Sequence, residues 1–458
     1  MAKMGYPFTL GVASGEPLSD GVILWTRLAP EPLHPTQPGG MPNRAMTVRW
    51  ELAEDEAFTK VIQSGTAPAQ PDWAHSVHVR VTGLRPAADY FYRFSAEGHV
   101  SPVGRTRTAP GPDSTAPVRF CFVSCQRYEH GYFTALRHLA AERPDLVLHL
   151  GDYIYEYGKP KNPKPGRWVR PLESTAEATT LGAYRDRYAR YKMDPDLQAA
   201  HAAAPWVAIP DDHEVRDNWA GALPGDGGSP AAFLKRRAAA FKAYYEHQPL
   251  RVHPSGSGLQ NYRWRPYGRV ADFLLADTRQ YREGRDMLGA EQEKWLKDRL
   301  HGSTARWKVL AQAVFFSQRK FPLEPVSADA WDGYPDSRAR VLAAAPDGLV
   351  VLSGDVHSAY ACDVRADWAD PASRALGVEF VGPSVTSMPG VTDASAILDL
   401  NPHIAFFDSR HGYVSCVADM ENFRADYRAV AFVDRPGAPL TTIAGFEVKE
   451  NRLHRTDV

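Results

Sequence analysis

Four times after residue 117, an apolar run of strand length stops abruptly on chemically capable side chains. The run from Val118 ends in Ser124-Cys125-Gln126, and the next, from Asp145, ends in Gly151-Asp152-Tyr153-Ile154-Tyr155. A third ends in Pro210-Asp211-Asp212-His213-Glu214 and a late one in Ser353-Gly354-Asp355-Val356-His357. Uninterrupted apolar runs of this length are strands buried on both faces, and amphipathic stretches such as Tyr132–Glu142 and Gln292–Leu300 between them read as covering helices. The pattern predicts an α/β fold whose ligands gather outside the carboxyl ends of the strands. Delivering carboxylate, thiol, phenol and imidazole to one edge is what a metal site requires.

Residues 1–112 follow a different rule. Met46, Val48, Trp50 and Leu52 alternate, as do Val77, Val79 and Val81, then Tyr90, Tyr92 and Phe94, so this part reads as an all-β, fibronectin- or immunoglobulin-like sandwich. Leu84-Arg85-Pro86-Ala87-Ala88-Asp89-Tyr90 resembles the corner of such sandwiches, where a tyrosine hydroxyl satisfies backbone at a strand turn. The turn-rich Ala109–Pro117 separates it from a second domain, 118–458. Within that domain the Pro-, Lys- and Gly-rich excursion Gly158–Leu181 is either a lid over the site or an ornament.

The donor types discriminate among metals. Asp152 has two oxygens with which to bridge two ions. Tyr155 is a phenol of pKa about 10, so binding as phenolate at neutral pH needs a strongly Lewis-acidic ion such as Fe3+. Cys125 adds a soft thiolate, whereas Asp211, Asp212, Asn218 and Asp355 are hard oxygen donors suited to calcium, magnesium or manganese. The set reads as heterometallic.

In this order, Ser-Cys-Gln, Gly-Asp-x-x-Tyr, Asp-Asp-His-Glu, Asp277-Thr278-Arg279-Gln280-Tyr281-Arg282 and Ser-Gly-Asp-Val-His closely resemble the PhoD family of alkaline phosphatases and phosphodiesterases, a branch of the metallophosphoesterases. The Gly-Asp-x-x-Tyr piece is also similar to purple acid phosphatases. The N-terminal Pro7–Pro17 and Ile23–Arg27 segments look like that family's β-sandwich domain, so the resemblance spans nearly the whole chain. It implies a metallophosphoesterase-like β-sandwich core flanked by helices, binding Fe3+ and Ca2+, that hydrolyses phosphate mono- and diesters with a metal-activated hydroxide. Asp152 would bridge iron and calcium. Cys125, Tyr155 and the late His411 would hold the iron. One of Asp211 and Asp212, with Asn218, Asp355 and His357, would complete the calcium positions. His213 would donate a proton or orient the phosphate. Two departures stand out: Pro210 replaces the family's usual tryptophan, and Asp217-Asn218 replaces two asparagines.

Other features are read more plainly. Arg236 and Arg237 suit a solvated helix face better than a phosphate clamp, and Arg279 either reaches substrate or pairs with Asp277. Tyr184, Arg185, Tyr188, Arg190, Tyr191 and Lys192 read as helix packing. With 53 basic and 54 acidic side chains, the chain has no cationic surplus for a nucleic-acid surface, and no apolar run is long enough to span a membrane. Four scattered cysteines make no disulfide framework. Relatives of this kind are exported, which implies a periplasmic or secreted enzyme whose signal is absent from this sequence. The competing readings are a purple-acid-type phosphatase with iron plus zinc or manganese, and a non-catalytic, metal-stapled module that binds surface polymers.

Overall fold

The structure is a computed structural model describing residues 4–161, 168–172, 174, 176–323, 326–370 and 372–457. Residues 162–167, 173 and 175 of the Pro/Lys/Gly-rich excursion lie outside the described residues.

The apolar runs form the centres of two sheets, one of ten strands and one of seven. In the larger sheet Val118–Val123, Leu146–Leu150 and Pro205–Ile209 are parallel neighbours. In the smaller, Ala271–Leu275, Trp307–Ala311 and Leu349–Ser353 run parallel in the same way. Alternate side chains go to opposite faces of a strand. Phe120, Phe122, Leu148, Leu150, Val207 and Ile209 therefore meet Phe273, Val309, Val350 and Leu352 of the facing sheet. Burying one such phenylalanine contributes about 1.5–3 kcal/mol.

The other face of each sheet is covered by helices, which explains why the runs are apolar at every position. Val123, Val147, Trp206 and Ala208 pack under the helices Thr134–Glu142, Leu181–Lys192, Pro195–Ala203 and Pro230–His247. Tyr184, Tyr188 and Tyr191 are part of that layer, so the aromatic helix is a packing element as expected. On the far side Leu274, Leu310 and Val351 pack under Gly289–Gly302 and Pro335–Ala343. The result is a two-sheet sandwich with helices outside. No helix among the described residues is long and apolar enough to cross a membrane.

The N-terminal segment is all-β and contributes to two sheets. Val12–Leu18 pairs in parallel with Pro205–Ile209, and Gly21–Arg27 and Ser76–Val81 extend the ten-stranded sheet to its edge. The remaining strands, including Met46–Ala53 and Asp89–Ala96, form a five-stranded sheet. Val48, Leu52, Tyr92 and Phe94 of that sheet pack on Val22, Leu24, Val77 and Val79 of the larger one. The predicted tyrosine corner is present: the Arg85 backbone N–H donates to the Tyr90 hydroxyl at 2.9 Å. Tyr90→Phe is expected to cost about 1 kcal/mol, read as a lower midpoint in urea unfolding, because that amide loses its partner. An unchanged midpoint would mean water replaces the hydroxyl.

Candidate metal centre

The polar stops lie together at the mouth of the sandwich, but they come from both sheets. Cys125, Asp152 and Asp212 follow neighbouring strands of the larger sheet, while Asp355 and His357 follow Leu349–Ser353 of the smaller one. Ser124 is bridged to Ser384, which ties the two sheets together at this end. The approach is close enough that a Cβ on Gly354 would lie 2.6 Å from Ser124 Oγ, and one on Gly151 would lie 2.4 Å from Asp211 Cβ. Both positions need glycine for that reason. Cys125, Asp152, Asn218, Asp355 and His357 all have positive φ, between 52° and 64°. Such backbone is costly for residues with a Cβ and recurs where side chains must be aimed from a tight turn.

Two donor groups share one residue. Ligand atoms of Cys125, Asp152 and His357 lie within 4.8 Å of one another, and so do those of Asp152, Asp212 and His213. Tyr155 joins the first group: its hydroxyl donates to Asp152 Oδ2 at 2.9 Å and lies 3.0 Å from His357 Nε2. His357 Nδ1 is 2.9 Å from the Met388 carbonyl, so that nitrogen carries the proton and Nε2 presents a lone pair. The resemblance grouped His357 with the calcium positions; the geometry places it beside Cys125 and Tyr155.

The adjacent pair Asp211 and Asp212 point apart. Asp211 Oδ1 accepts from Arg279 Nε at 2.6 Å, whereas Asp212 belongs to the shared group and accepts the backbone N–H groups of His213 and Asn218 at 2.9 and 2.7 Å. Asn218 reaches the cluster through its backbone, with an exposed side chain. His411 is not in either compact group; its Nδ1 lies 3.0 Å from Ser384 Oγ at the inter-sheet bridge. Asp355 stands beside Asp329 and Asp212, and burial followed by these charges lifts its carboxyl to about 6.

Residues to which the sequence reading gave no role hold the site in place. The buried Glu214 carboxylate accepts the backbone N–H groups of Tyr153 (2.6 Å), Asp211 (2.8 Å) and Asp152 (3.2 Å), bracketing two ligand loops at once. Glu156 accepts from His213 Nδ1 at 2.8 Å and from the Asp217 N–H at 2.7 Å. Ser387 donates to the Tyr155 hydroxyl at 2.7 Å. An acidic residue just after a ligand motif is the only sequence signal that marks Glu214 and Glu156, and nothing marks Ser387.

Three arginine readings need correction. Arg236 and Arg237 are not on a solvated face: Arg236 bonds the Tyr184 hydroxyl and the Val215 carbonyl, and Arg237 bonds Ser257 and the Gly221 carbonyl. Both guanidiniums clasp the long helix to its neighbours. Arg279 pairs with Asp211 and, in bidentate fashion, with Asp329, while Asp277 accepts only its backbone N–H.

The donor set fits cations. Burial raises the Asp152 carboxyl, the Cys125 thiol and the Tyr155 phenol; neighbouring negative charge raises the thiol and phenol further, while for Asp152 the His213 charge opposes the rise and Asp212, Asp211 and Glu214 add to it. Ionising all three together therefore demands a nearby multiple positive charge. Asp152 Oδ1 and Asp211 Oδ2 are buried without a hydrogen-bond partner, which leaves anionic oxygens free to ligate. Against the cost of burial, the His213 imidazolium is stabilised by Asp212, Glu156 and Asp152, which raises its pKa. Its ring lies against the Tyr155 ring, tilted by 33° with centroids 4.2 Å apart.

Comparison with known proteins gives a consistent answer. Residues 120–427 match the PhoD-like phosphatase family, and residues 1–110 match the PhoD-like phosphatase N-terminal domain. Alkaline phosphatase D of Bacillus subtilis (strain 168) is 47% identical over 479 residues, covering 98% of this chain and 82% of that protein. A solved structure of PhoD superposes with a TM-score of 0.95 at 46% identity, covering 99% of this chain and 92% of the other. The purple acid phosphatase PPD1 of yellow lupin shares the fold, with a TM-score of 0.59 at 14% identity over 97% of this chain and 74% of its own.

Proposed function

Since the chain belongs to the PhoD-like phosphatase family and hydrolyses phosphate esters with metal ions, we propose that Asp152 is the residue around which its reacting centre is built. The observation that carries this is the sharing of Asp152 by two compact donor groups of different chemistry. Cys125, Tyr155 and His357 would hold Fe3+ on one side, with His411 as the further ligand that the family pattern suggests. Asp212, with Asp355, would hold Ca2+ on the other, and Asn218 would support it through the backbone N–H it donates to Asp212. Asp211 is turned to Arg279 and acts by fixing its neighbour.

Bound metal ions supply Lewis acidity to the phosphoryl oxygens and lower the pKa of a water molecule. The chain's own residues do the positioning. Glu214 fixes the backbone that carries Asp152 and Asp211, and Glu156 orients the His213 ring through Nδ1. His213, kept protonated by surrounding carboxylates, is placed to donate a proton to the departing alkoxide. We further propose that residues 1–112 and 118–458 act as scaffold and catalytic domain, and that the enzyme works in the periplasm or as a secreted protein.

The test is elemental analysis of protein purified without added metal or chelator, joined to its visible spectrum. Roughly one iron with calcium per chain is expected, together with a phenolate-to-iron absorption that Tyr155→Phe removes. Iron with zinc or manganese would favour the purple-acid-type alternative. A visible band that survives in Tyr155→Phe would remove Tyr155 from the ligand set.

A further inference from the structure

We propose that Glu379 is a positioning residue for the Ca2+ side of the centre, fixing the strand end that delivers Asp355; this rests on the reading of Asp355 as a Ca2+ ligand. Glu379 lies in the strand Ala375–Val381, which pairs in parallel with Leu349–Ser353 and sets Glu379 opposite Val351. Val378 and Phe380 on either side of it belong to the core between the two sheets, so Glu379 points to the other face. An apolar side chain would serve the fold at that position. The carboxylate is instead fully buried, and burial raises it despite the hydrogen bonds that oppose the rise. A buried carboxylate is tolerated only where donors converge on it.

The donors that converge on Glu379 belong to the segments that build the centre. Oε1 accepts the Ser353 hydroxyl at 2.6 Å and the Phe316 N–H at 2.7 Å, and Oε2 accepts the Ser317 N–H at 2.7 Å. Ser353 is the last residue of its strand, two before Asp355. Gln312 extends the network: its Nε2 donates to Ser353 Oγ at 2.6 Å, and its Oε1 accepts from the Val314 N–H and from Trp331 Nε1, both at 3.1 Å. The Gly354 N–H donates to the Ala313 carbonyl at 2.6 Å, and the Trp331 N–H to the Phe315 carbonyl at 3.2 Å. Trp331 lies two residues after Asp329, which holds Arg279 and Arg282. One carboxylate thus ties the strand that delivers Asp355 to the segment that delivers Asp329. Glu214 does the same for the loops of Asp152 and Asp211 in the larger sheet. The Fe3+ side does not hang on Glu379. Cys125 and Tyr155 follow strands of the larger sheet, and His357 is held separately, through Nδ1, by the Met388 carbonyl at 2.9 Å.

The experiment uses full chains of wild type, Glu379→Gln and Ser353→Ala, loaded with iron, stripped of calcium with a calcium-selective chelator and titrated with Ca2+ by calorimetry. Glutamine keeps the volume but turns an amide NH2 towards backbone N–H groups, so Ca2+ binding is expected to weaken roughly 10–100-fold. Ser353→Ala removes only the hydroxyl link and is expected to weaken it about 2–10-fold. The phenolate-to-iron absorption stays at wild-type intensity in both variants, which a general loosening of the fold would not give. Should Glu379→Gln fail to fold, Ser353→Ala alone decides. Unchanged Ca2+ affinity in the folded variants, or loss of the iron absorption in step with calcium, would overturn the proposal and leave Glu379 as a support of the whole fold. If wild type itself takes up no Ca2+, the reading of Asp355 fails and the proposal with it.

Discussion

Asp152→Asn is expected to abolish phosphate ester hydrolysis while leaving the protein folded. The side chain is shared by the Cys125–His357 and Asp212–His213 groups, and among the described residues no other belongs to both. Asparagine keeps the volume and can still accept from the Tyr155 hydroxyl. It replaces one anionic oxygen by an amide nitrogen, which offers no lone pair for a second cation and no charge to balance it. The expected loss in kcat is at least ~1000-fold, or about 4 kcal/mol of transition-state stabilisation. Stability should move the other way. Burial raises the Asp152 carboxyl; the His213 charge opposes this, but Asp212, Asp211 and Glu214 add like charge and the net direction is up, so a neutral amide is accommodated at least as well in the metal-free chain. Denaturant unfolding in chelator should therefore show the variant equal to or above wild type. Wild-type turnover of a chromogenic ester by the variant would place the reacting centre elsewhere.

What the sequence made legible follows from where each interaction partner lies along the chain. The strand ends that carry Cys125, Asp152, Asp212 and Asp355 were visible because burial on both faces writes a continuous apolar run, and a ligand interrupts it within a residue or two. The Tyr90 corner was visible because donor and acceptor are five residues apart. Asp211 and Asp212 could not be separated, because their directions are set by Arg279, 68 residues on. Period-two alternation revealed the N-terminal strands but not the parallel pairing of Ser14 with Pro205, which makes them part of the large sheet. Arg236 and Arg237 look like a solvated pair on a helix because their acceptors, the Val215 and Gly221 carbonyls, are backbone atoms that leave no sequence signature.

Arg279→Met is expected to have the largest effect on stability of any single change near the centre. The side chain is fully buried, and it spends its donors on Asp211 Oδ1 at 2.6 Å and on both oxygens of Asp329 at 2.7 and 2.8 Å. Asp212 Oδ2 lies 3.9 Å away, so this cation faces three carboxylates. Methionine fills much of the volume but leaves those charges uncompensated, and stranding a buried ionic partner costs about 3–5 kcal/mol. Arg282 still reaches Asp329, so Asp211 bears most of the loss. Two further results separate lost charge from lost packing. Adding Asp211→Asn to the methionine variant should restore part of the stability, because it removes the stranded charge, whereas a packing defect would stay. Calcium should raise the unfolding midpoint more in Arg279→Met than in wild type, because a cation bound only by the folded state then offsets repulsion that the guanidinium no longer does. Arg279→Lys should recover little, since a point charge cannot serve Asp211 and both oxygens of Asp329 together. If the metal-free methionine variant unfolds at the wild-type midpoint, the carboxylates around Asp211 are neutral in that state and Arg279 is not what holds them together.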